Sequence, residues 1–255
     1  MSARPIFVVA GIGNGTGTGA ASARLFAKSG YRVALVARNA EHLSALAAEI
    51  NSAGGEAAAF PVPDYAYQTV LGVFDTIGAH AWPSAGAGEV RAALWNASGG
   101  AFKRFFDVTE ADLAGSVEGN VTAPFAFARQ AITAFRRNAL DARGRRGTLL
   151  FTGATASVRG NVTTSSFAAG KHALRALSQS LAKEFGQENI HVAHAIIDGG
   201  ILTDRSVSYR PAEFKTNEDI RLNPDSIAQA YLYLTNQDRS SWTWELDLRP
   251  AHEKW

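Results

Sequence analysis

Residues 10–21 read Ala10-Gly11-Ile12-Gly13-Asn14-Gly15-Thr16-Gly17-Thr18-Gly19-Ala20-Ala21, between the apolar run Ile6-Phe7-Val8-Val9 and a helix-like segment from Ser22. This order predicts a strand, a glycine loop and a helix. Because glycine has no Cβ, such a loop can turn sharply and bring its backbone N–H groups close to a phosphate. The positive end of the helix dipole would point at the same place. The stretch therefore predicts a dinucleotide pyrophosphate site at the end of the first strand.

The glycine spacing leaves two alignments open. The pattern G-x-x-x-G-x-G occurs as Gly11, Gly15, Gly17 and again as Gly13, Gly17, Gly19. We favour the second alignment, because it places the last glycine at the helix entrance. It assigns Gly13, Gly17, Thr18 and Gly19 to the cofactor.

Strand and helix patterns alternate along the chain without an interior linker. Further strands are predicted at 32–37, 56–63, 90–94, 148–151, 190–197 and 242–248. A long helix is predicted around 113–135, with a kink at Pro124. This order predicts an α/β fold in which one domain, residues 1–255, forms a Rossmann-like, doubly wound parallel sheet of about seven strands. Residues 202–223 lack clear periodicity and predict a substrate loop or lid.

Composition excludes several classes of function. The 255 residues carry a net charge of +2, which gives no reason to expect a nucleic-acid partner. With no cysteine there is neither a disulfide framework nor a thiolate site, and His191 and His194 have opposite parity in their strand, so no metal site is expected. No apolar run reaches membrane-spanning length, and the first strand begins almost at once. We therefore expect a cytoplasmic protein that acts on a small molecule without a membrane.

Two strand ends indicate how the nucleotide is recognised. The second strand ends at Ala37 and is followed by Arg38, where dinucleotide folds meet the adenosine ribose. An acidic residue there selects a free 2′-hydroxyl, whereas arginine suits a 2′-phosphate, so Arg38 favours NADP(H), unless it is an ordinary surface arginine. The third strand ends at Asp64-Tyr65. Asp64 either lies in the ligand crevice or caps the next helix.

The chain resembles the short-chain dehydrogenase/reductase family over essentially its full length. The landmarks that carry this resemblance are the glycine loop, Asp64, Asn96-Ala97, Asn120, Lys171 and the run Asp198-Gly199-Gly200-Ile201-Leu202-Thr203. The resemblance implies that Asp64, Tyr65, Asn96, Ala97, Ile201 and Thr203 help to bind the cofactor. It also implies that Lys171 binds the nicotinamide ribose, that Asn120 holds a water or a helix bend, and that the protein forms a homodimer or homotetramer.

The active-site positions depart from the family pattern. By the family's spacing, Phe167 stands at the tyrosine position, four residues before Lys171, and Ala154 stands at the serine position. Neither side chain can donate a hydrogen bond. Since a positioned general acid contributes about 10²–10⁴-fold to rate, ordinary ketone reduction should be severely impaired.

Three interpretations can accommodate this loss. Another hydroxyl can replace the missing donors, with Thr155, Ser165, Ser166 and Tyr209 as candidates. Alternatively, the substrate is an iminium ion of a small apolar metabolite, which accepts hydride without an enzyme acid, and Phe167 forms an apolar wall. Finally, the protein can be a non-redox or bifunctional enzyme, or a catalytically silent NADP(H)-binding protein.

Overall fold

A computed structural model describes residues 4–84, 86 and 88–254. Its strands are β1 (Ile6–Ala10), β2 (Arg32–Ala37), β3 (Glu56–Pro61), β4 (Val90–Trp95), β5 (Gly147–Thr152), β6 (Ile190–Ile197) and β7 (Glu245–Leu248). Over these described residues the seven strands form one sheet in the order β3-β2-β1-β4-β5-β6-β7. Every neighbouring pair runs parallel. The predicted α/β, doubly wound fold is confirmed.

Helices cover both faces of the sheet. They are α1 (Thr18–Lys28), α2 (Ala40–Ser52), α3 (Tyr67–Ala79), α4 (Glu110–Val117), α5 (Ala123–Arg136), α6 (Ser165–Phe185), α7 (Asp204–Val207), α8 (Glu213–Thr216) and α9 (Pro224–Asn236). On one face, α3, α5 and α6 bury apolar side chains such as Val70, Phe127 and Leu174. On the other face, α1 and α9 contribute Phe26 and Tyr231. The mostly apolar strands therefore lie between two helical layers, as is usual for parallel sheets.

The strand order reverses at β1, which pairs with β2 on one side and with β4 on the other. In open parallel sheets, ligands bind outside the carboxyl ends of the strands at such a reversal. The segments that follow β1, β4, β5 and β6 therefore surround the candidate site.

The predicted long helix is interrupted by a π-helical turn, Glu118–Thr122, between α4 and α5. Trp95 Nε1 donates a hydrogen bond to the Gly119 carbonyl at 3.0 Å, which anchors this turn to the end of β4. Pro124 lies in the first turn of α5, where a missing N–H costs little, so the interruption precedes the proline. Likewise, the segment 202–223 is not a plain loop, because it contains α7, α8 and the 3₁₀ turn Glu218–Ile220.

Two buried histidines of β6 make separate contacts. His191 Nε2 contacts the Thr243 carbonyl at 2.9 Å, and His194 Nδ1 contacts Glu245 Oε1 at 3.1 Å. Across residues 4–84, 86 and 88–254, no group of three or more His, Asp or Glu side chains could hold a metal ion. In the same ranges, no helix is long and apolar enough to cross a membrane.

Candidate cofactor and active site

The glycine loop is packed tightly at its two ends and open in its middle. Gly11 has φ +94°, and a Cβ there would lie 2.4 Å from the Ala97 backbone nitrogen. Gly19, in the first turn of α1, packs so closely that its Cβ would lie 2.1 Å from the Gly11 carbonyl oxygen. By contrast, Gly13 has φ +60° and open space around it. The close approach of loop and strand therefore occurs at Gly11 rather than at Gly13, while Gly19 fills the helix-packing role expected of the last glycine.

The entrance of α1 leaves polar groups available to a ligand. Gly17 is the N-cap residue and offers no side-chain cap to the helix. The Thr18 hydroxyl is buried and has no hydrogen-bond partner among the described residues. The unpaired N–H groups of this eleven-residue helix, together with that hydroxyl, fit a pyrophosphate.

The ends of β2 and β3 bring Arg38 and Tyr65 together. The Arg38 guanidinium lies 5.4 Å from the centre of the Tyr65 ring, and the Arg38 side chain is exposed beyond the strand. Asp64 instead accepts a hydrogen bond from Ala66 N at 3.0 Å, and its bond from Thr69 lowers the pKa of this exposed carboxyl. Asp64 therefore bonds the turn that leads into α3, at its N-cap residue Ala66. Sequence reasoning missed His42, whose Nδ1 lies 3.2 Å from the Gly13 carbonyl oxygen.

Asn96 connects the glycine loop to the interior of the sheet. Its Nδ2 donates to the Gly11 carbonyl at 2.7 Å, and its Oδ1 accepts from Thr152 Oγ1 at 2.9 Å. The Tyr231 hydroxyl of α9 lies 2.8 Å from the same Thr152 oxygen. Ala97 N donates to the Ala10 carbonyl at 2.9 Å. These bonds form a continuous polar chain from α9 to the end of β1.

Lys171 contacts the end of β5, and Asn120 contacts the segment that follows β4. Lys171 Nζ donates to the Thr152 carbonyl at 2.8 Å, and burial lowers the pKa of this lysine to about 7. Asn120 lies in the π-helical turn and is also buried. Its Nδ2 donates to the Gly99 carbonyl at 2.7 Å, and its Oδ1 accepts from Ser98 Oγ at 3.0 Å. The amide therefore fastens the segment after β4 to the turn.

Two apolar side chains, Phe167 and Ala154, stand at the positions that follow from the family's spacing, and Phe167 lies near Lys171. The Phe167 ring centre is 5.8 Å from Lys171 Nζ and 5.0 Å from the Phe102 ring centre. Ala154 is half-buried, and its backbone N–H donates to Ser157 Oγ at 3.0 Å. Aromatic surface therefore lies next to the buried Lys171 amine, and Ala154 contributes only a methyl group.

The candidate replacement donors are engaged elsewhere or lie apart. Thr155 Oγ1 donates to Asp198 Oδ1 at 2.5 Å, so its hydrogen is committed to a carboxylate and is not available to a substrate. This contact argues against Thr155 as the missing proton donor. Ser165 is exposed, and Ser166 Oγ accepts from Ala101 N at 3.3 Å. Tyr209 is two-thirds exposed, and its hydroxyl has no hydrogen-bond partner in the part of the chain that the structure describes.

The predicted lid begins against the glycine loop. Thr203 Oγ1 accepts from Ser206 N at 3.0 Å and caps α7, and its methyl group faces Gly17. Ile201 forms an isolated parallel bridge with Leu222, which closes the base of the segment. Asp204 Oδ2 accepts from Asn14 Nδ2 at 3.3 Å, a contact that the sequence did not reveal.

A cavity of about 410 Å³ lies between α1, α9 and this segment. Thr16, Arg24, Thr203 and Lys215 are among its lining residues. The space adjoins the glycine loop on the side of the lid.

The sequence profile described as short chain dehydrogenase matches residues 7–213. The chain belongs to the short-chain dehydrogenase family. A mouse 3-oxoacyl-[acyl-carrier-protein] reductase is 28% identical over 211 residues, covering 82% of each chain. The 7alpha-hydroxysteroid dehydrogenase of Escherichia coli K12 is 28% identical over 236 residues, covering 90% of this chain and 87% of that enzyme.

Solved structures agree with this membership. A short-chain dehydrogenase from Rhodopseudomonas palustris is 30% identical, with a TM-score of 0.77 over 98% of this chain and 100% of that one. An actinorhodin polyketide ketoreductase, crystallised with NADPH, shares 19% identity and a TM-score of 0.82 over 99% of this chain and 98% of that one. At that identity the second likeness shows the shared fold of the family.

Proposed function

We propose that this short-chain dehydrogenase is an NADPH-dependent oxidoreductase that reduces a C=N bond of an iminium ion, or a C=O bond, in a small apolar metabolite. The observation that carries the proposal is the contrast between two halves of one site. The glycine loop, Asn96 and Lys171 form a connected polar arrangement, whereas Phe167 and Ala154 beside them have no group that can donate a proton.

The cofactor half is consistent with NADP(H). Gly17 and Thr18 offer unpaired donors for the pyrophosphate, and the exposed Arg38, stacked on Tyr65, carries the charge that suits a 2′-phosphate. Lys171 would bind the ribose hydroxyls. A metagenomic short-chain oxidoreductase solved with NADP shares this fold. It is 24% identical, with a TM-score of 0.76 over 96% of this chain and 97% of that one.

The substrate half favours an acceptor that needs no acid. When bound, NADPH supplies a hydride. An iminium carbon is already electron-poor, so transfer leaves a neutral amine and no alkoxide to be protonated. Phe167 and Phe102 would orient such a substrate by contact and exclude water, while Ala154 leaves room beside the reacting carbon.

The decisive experiment monitors NADPH oxidation with paired cyclic iminium ions and ketones of similar size. We expect turnover with iminium ions. Rates for the ketones should be lower by about 10²-fold or more, because the site has no group that can protonate the oxygen of a reduced ketone. If NADPH binds but no acceptor is reduced, the proposal fails and the silent NADP(H)-binding protein takes its place.

We further propose a homodimer or homotetramer that pairs through the helical segment α4–α5 and through α6. Leu113, Val117 and Phe125 are exposed apolar side chains along α4 and α5. Light scattering after gel filtration should show the oligomer, and Phe125→Asp should reduce its mass to that of the monomer. A wild-type monomer at micromolar concentration would contradict this proposal.

A further inference from the structure

A buried carboxylate outside the expected hydride-transfer machinery lies at the carboxyl end of β6. Asp198 is 2% exposed. It accepts from Thr155 Oγ1 at 2.5 Å, from Arg159 Nη2 at 3.2 and 3.3 Å, and it lies 3.6 Å from Arg249 Nη2. A buried carboxylate needs such partners to offset its lost hydration. Asp198 therefore holds the side chains of Thr155 and Arg159 in place at this edge of the sheet.

Arg159 uses only part of its guanidinium for this contact. Its Nη2 reaches both carboxylate oxygens, whereas Nε and Nη1 have no hydrogen-bond partner among the described residues. The Arg159 side chain is 36% exposed, so these donors face solvent. Arg159 belongs to the segment between β5 and α6, which also carries Ala154 and ends just before Phe167. The free donors therefore lie on the chain segment that joins Ala154 to Phe167, the two apolar side chains of the site proposed for the substrate.

Arg210, in the segment 202–223, lies near the turn that follows β6. Its guanidinium lies 5.2 Å from the Phe214 ring centre and 5.8 Å from the Tyr209 ring centre. A Cβ on Gly200 would lie 3.5 Å from Arg210 Nη2. No ion pair links Arg210 to a carboxylate in residues 4–84, 86 and 88–254. Two arginines with available donors thus flank the turn that follows β6.

We infer that Arg159, positioned by Asp198, and Arg210 bind an oxyanion group of the substrate, a carboxylate or a phosphate. Guanidinium groups suit these oxyanions because they offer two parallel N–H donors and a permanent charge. The inference rests on the proposed function and adds one anionic group to its otherwise apolar substrate. The acceptor is a carbonyl or imine compound whose apolar body contacts Phe167 and whose oxyanion group binds Arg159 and Arg210.

Arg249 provides a matched control, since it contacts the same carboxylate from the C-terminal side of β7. If Arg159 serves only to neutralise Asp198, loss of either arginine should have similar consequences. If Arg159 also binds substrate, only its loss should change the preference for anionic compounds.

The test uses the full chain saturated with NADPH. Calorimetric binding and NADPH oxidation are measured for the pairs pyruvate and methyl pyruvate, benzoylformate and its methyl ester, and 1-pyrroline-2-carboxylate and 2-methyl-1-pyrroline. Phenyl phosphate and phenol form a binding-only pair that distinguishes phosphate from carboxylate. We expect at least one anionic compound to bind about 10-fold more tightly than its neutral partner.

Arg159→Gln should abolish this preference and raise KM for the anionic substrate by about 10- to 100-fold, with kcat and NADPH affinity little changed. Arg210→Gln, which leaves Asp198 untouched, should also reduce the preference, so the inference stays testable if Arg159→Gln fails to fold. Arg249→Gln should retain it.

The inference is overturned if no anionic compound is preferred, or if the glutamine variants at 159 and 249 lose the preference equally. If no compound is reduced but the binding preference persists and depends on Arg159, the anchor is supported and the proposed reaction fails.

Discussion

Lys171 donates a hydrogen bond from Nζ to the carbonyl oxygen of Thr152 across 2.8 Å, within a pocket that leaves 3% of the lysine exposed. The structure shows no carboxylate bonded to this nitrogen among the residues it describes. Burial therefore determines the charge of Lys171, and lowers its pKa to about 7. At neutral pH, the amine lies near its midpoint of titration.

Replacing Lys171 should change how stability depends on pH. The unfolded lysine titrates near 10.5 and the folded one near 7, so between these values the unfolded chain binds a proton that the folded chain does not. The free energy of unfolding should therefore rise with pH across this window, by about 1 kcal/mol per unit. Urea unfolding at pH 7, 8 and 9 should show this slope in the wild type and in the exposed control Lys183→Met. A Lys171→Met variant that keeps the full slope would contradict the assignment.

His194 should make the protein sensitive to acid. Burial lowers its pKa to about 4 from 6.5, because protonation would place an N–H at Nε2, which has no hydrogen-bond partner among the described residues. As pH falls from 6.5 towards 4, the unfolded chain takes up the proton first, so the folded state loses up to roughly 3 kcal/mol. Denaturation between pH 7 and 5 should reveal this loss, and His194→Gln should reduce it. The control His172→Gln, at an exposed histidine, should behave as the wild type.

Arg38 should determine the choice of nucleotide. Arg38→Gln removes the charge available to a 2′-phosphate, so the Kd for NADPH should rise by about 10- to 100-fold while that for NADH stays nearly constant. Fluorescence titration of both nucleotides measures the two constants. Arg137→Gln serves as the control, because Arg137 is an exposed arginine at the end of α5, between β4 and β5. Equal losses for NADPH and NADH would show that Arg38 does not contact the phosphate.

Restoring hydroxyls should create a ketone reductase. In the double variant Ala154→Ser and Phe167→Tyr, a phenol is placed near Lys171 and a serine beside it. Ketone reduction should increase by about 10²-fold or more, since a positioned acid contributes that much. The rates are compared with those of Phe102→Tyr, which adds a phenol to the neighbouring ring only. No gain in the double variant would mean that Phe167 does not lie where the substrate oxygen binds.

Gly19 should tolerate no side chain. Alanine usually stabilises a helix interior by about 1 kcal/mol relative to glycine. At Gly19, however, its Cβ would lie 2.1 Å from the Gly11 carbonyl oxygen, so we expect destabilisation and loss of NADPH binding. Gly72→Ala in α3 has open space around it and should be neutral or stabilising. Thermal melts and NADPH titrations of both variants test this contrast.

Much of the fold could be predicted from local sequence, because each strand is a short apolar run bounded by turn residues. The limits of β2 and β6 agree with the predicted 32–37 and 190–197. The π-helical turn was missed, and it is held by a long-range hydrogen bond from Trp95 to Gly119. The apolar periodicity of a helix does not indicate such a bond.

The site was less predictable than the fold. The family resemblance pointed to Lys171 and Asn96, and the end of the second strand pointed to Arg38. No sequence pattern indicated that Gly11 packs against Ala97, more than 80 positions away. Asp198 entered the sequence analysis only as the first residue of the run 198–203, and its partners Thr155 and Arg159 are about 40 positions away. A single sequence gives no indication that these side chains meet.

The polar chain from Tyr231 through Thr152 and Asn96 to Gly11 joins the last long helix to the first loop. During synthesis, the glycine loop would leave the ribosome some two hundred residues before the hydroxyl that completes this chain. We therefore expect nucleotide binding to develop only after α9 has emerged. A fragment that contains the glycine loop but lacks α9 should bind the nucleotide more weakly than the whole protein.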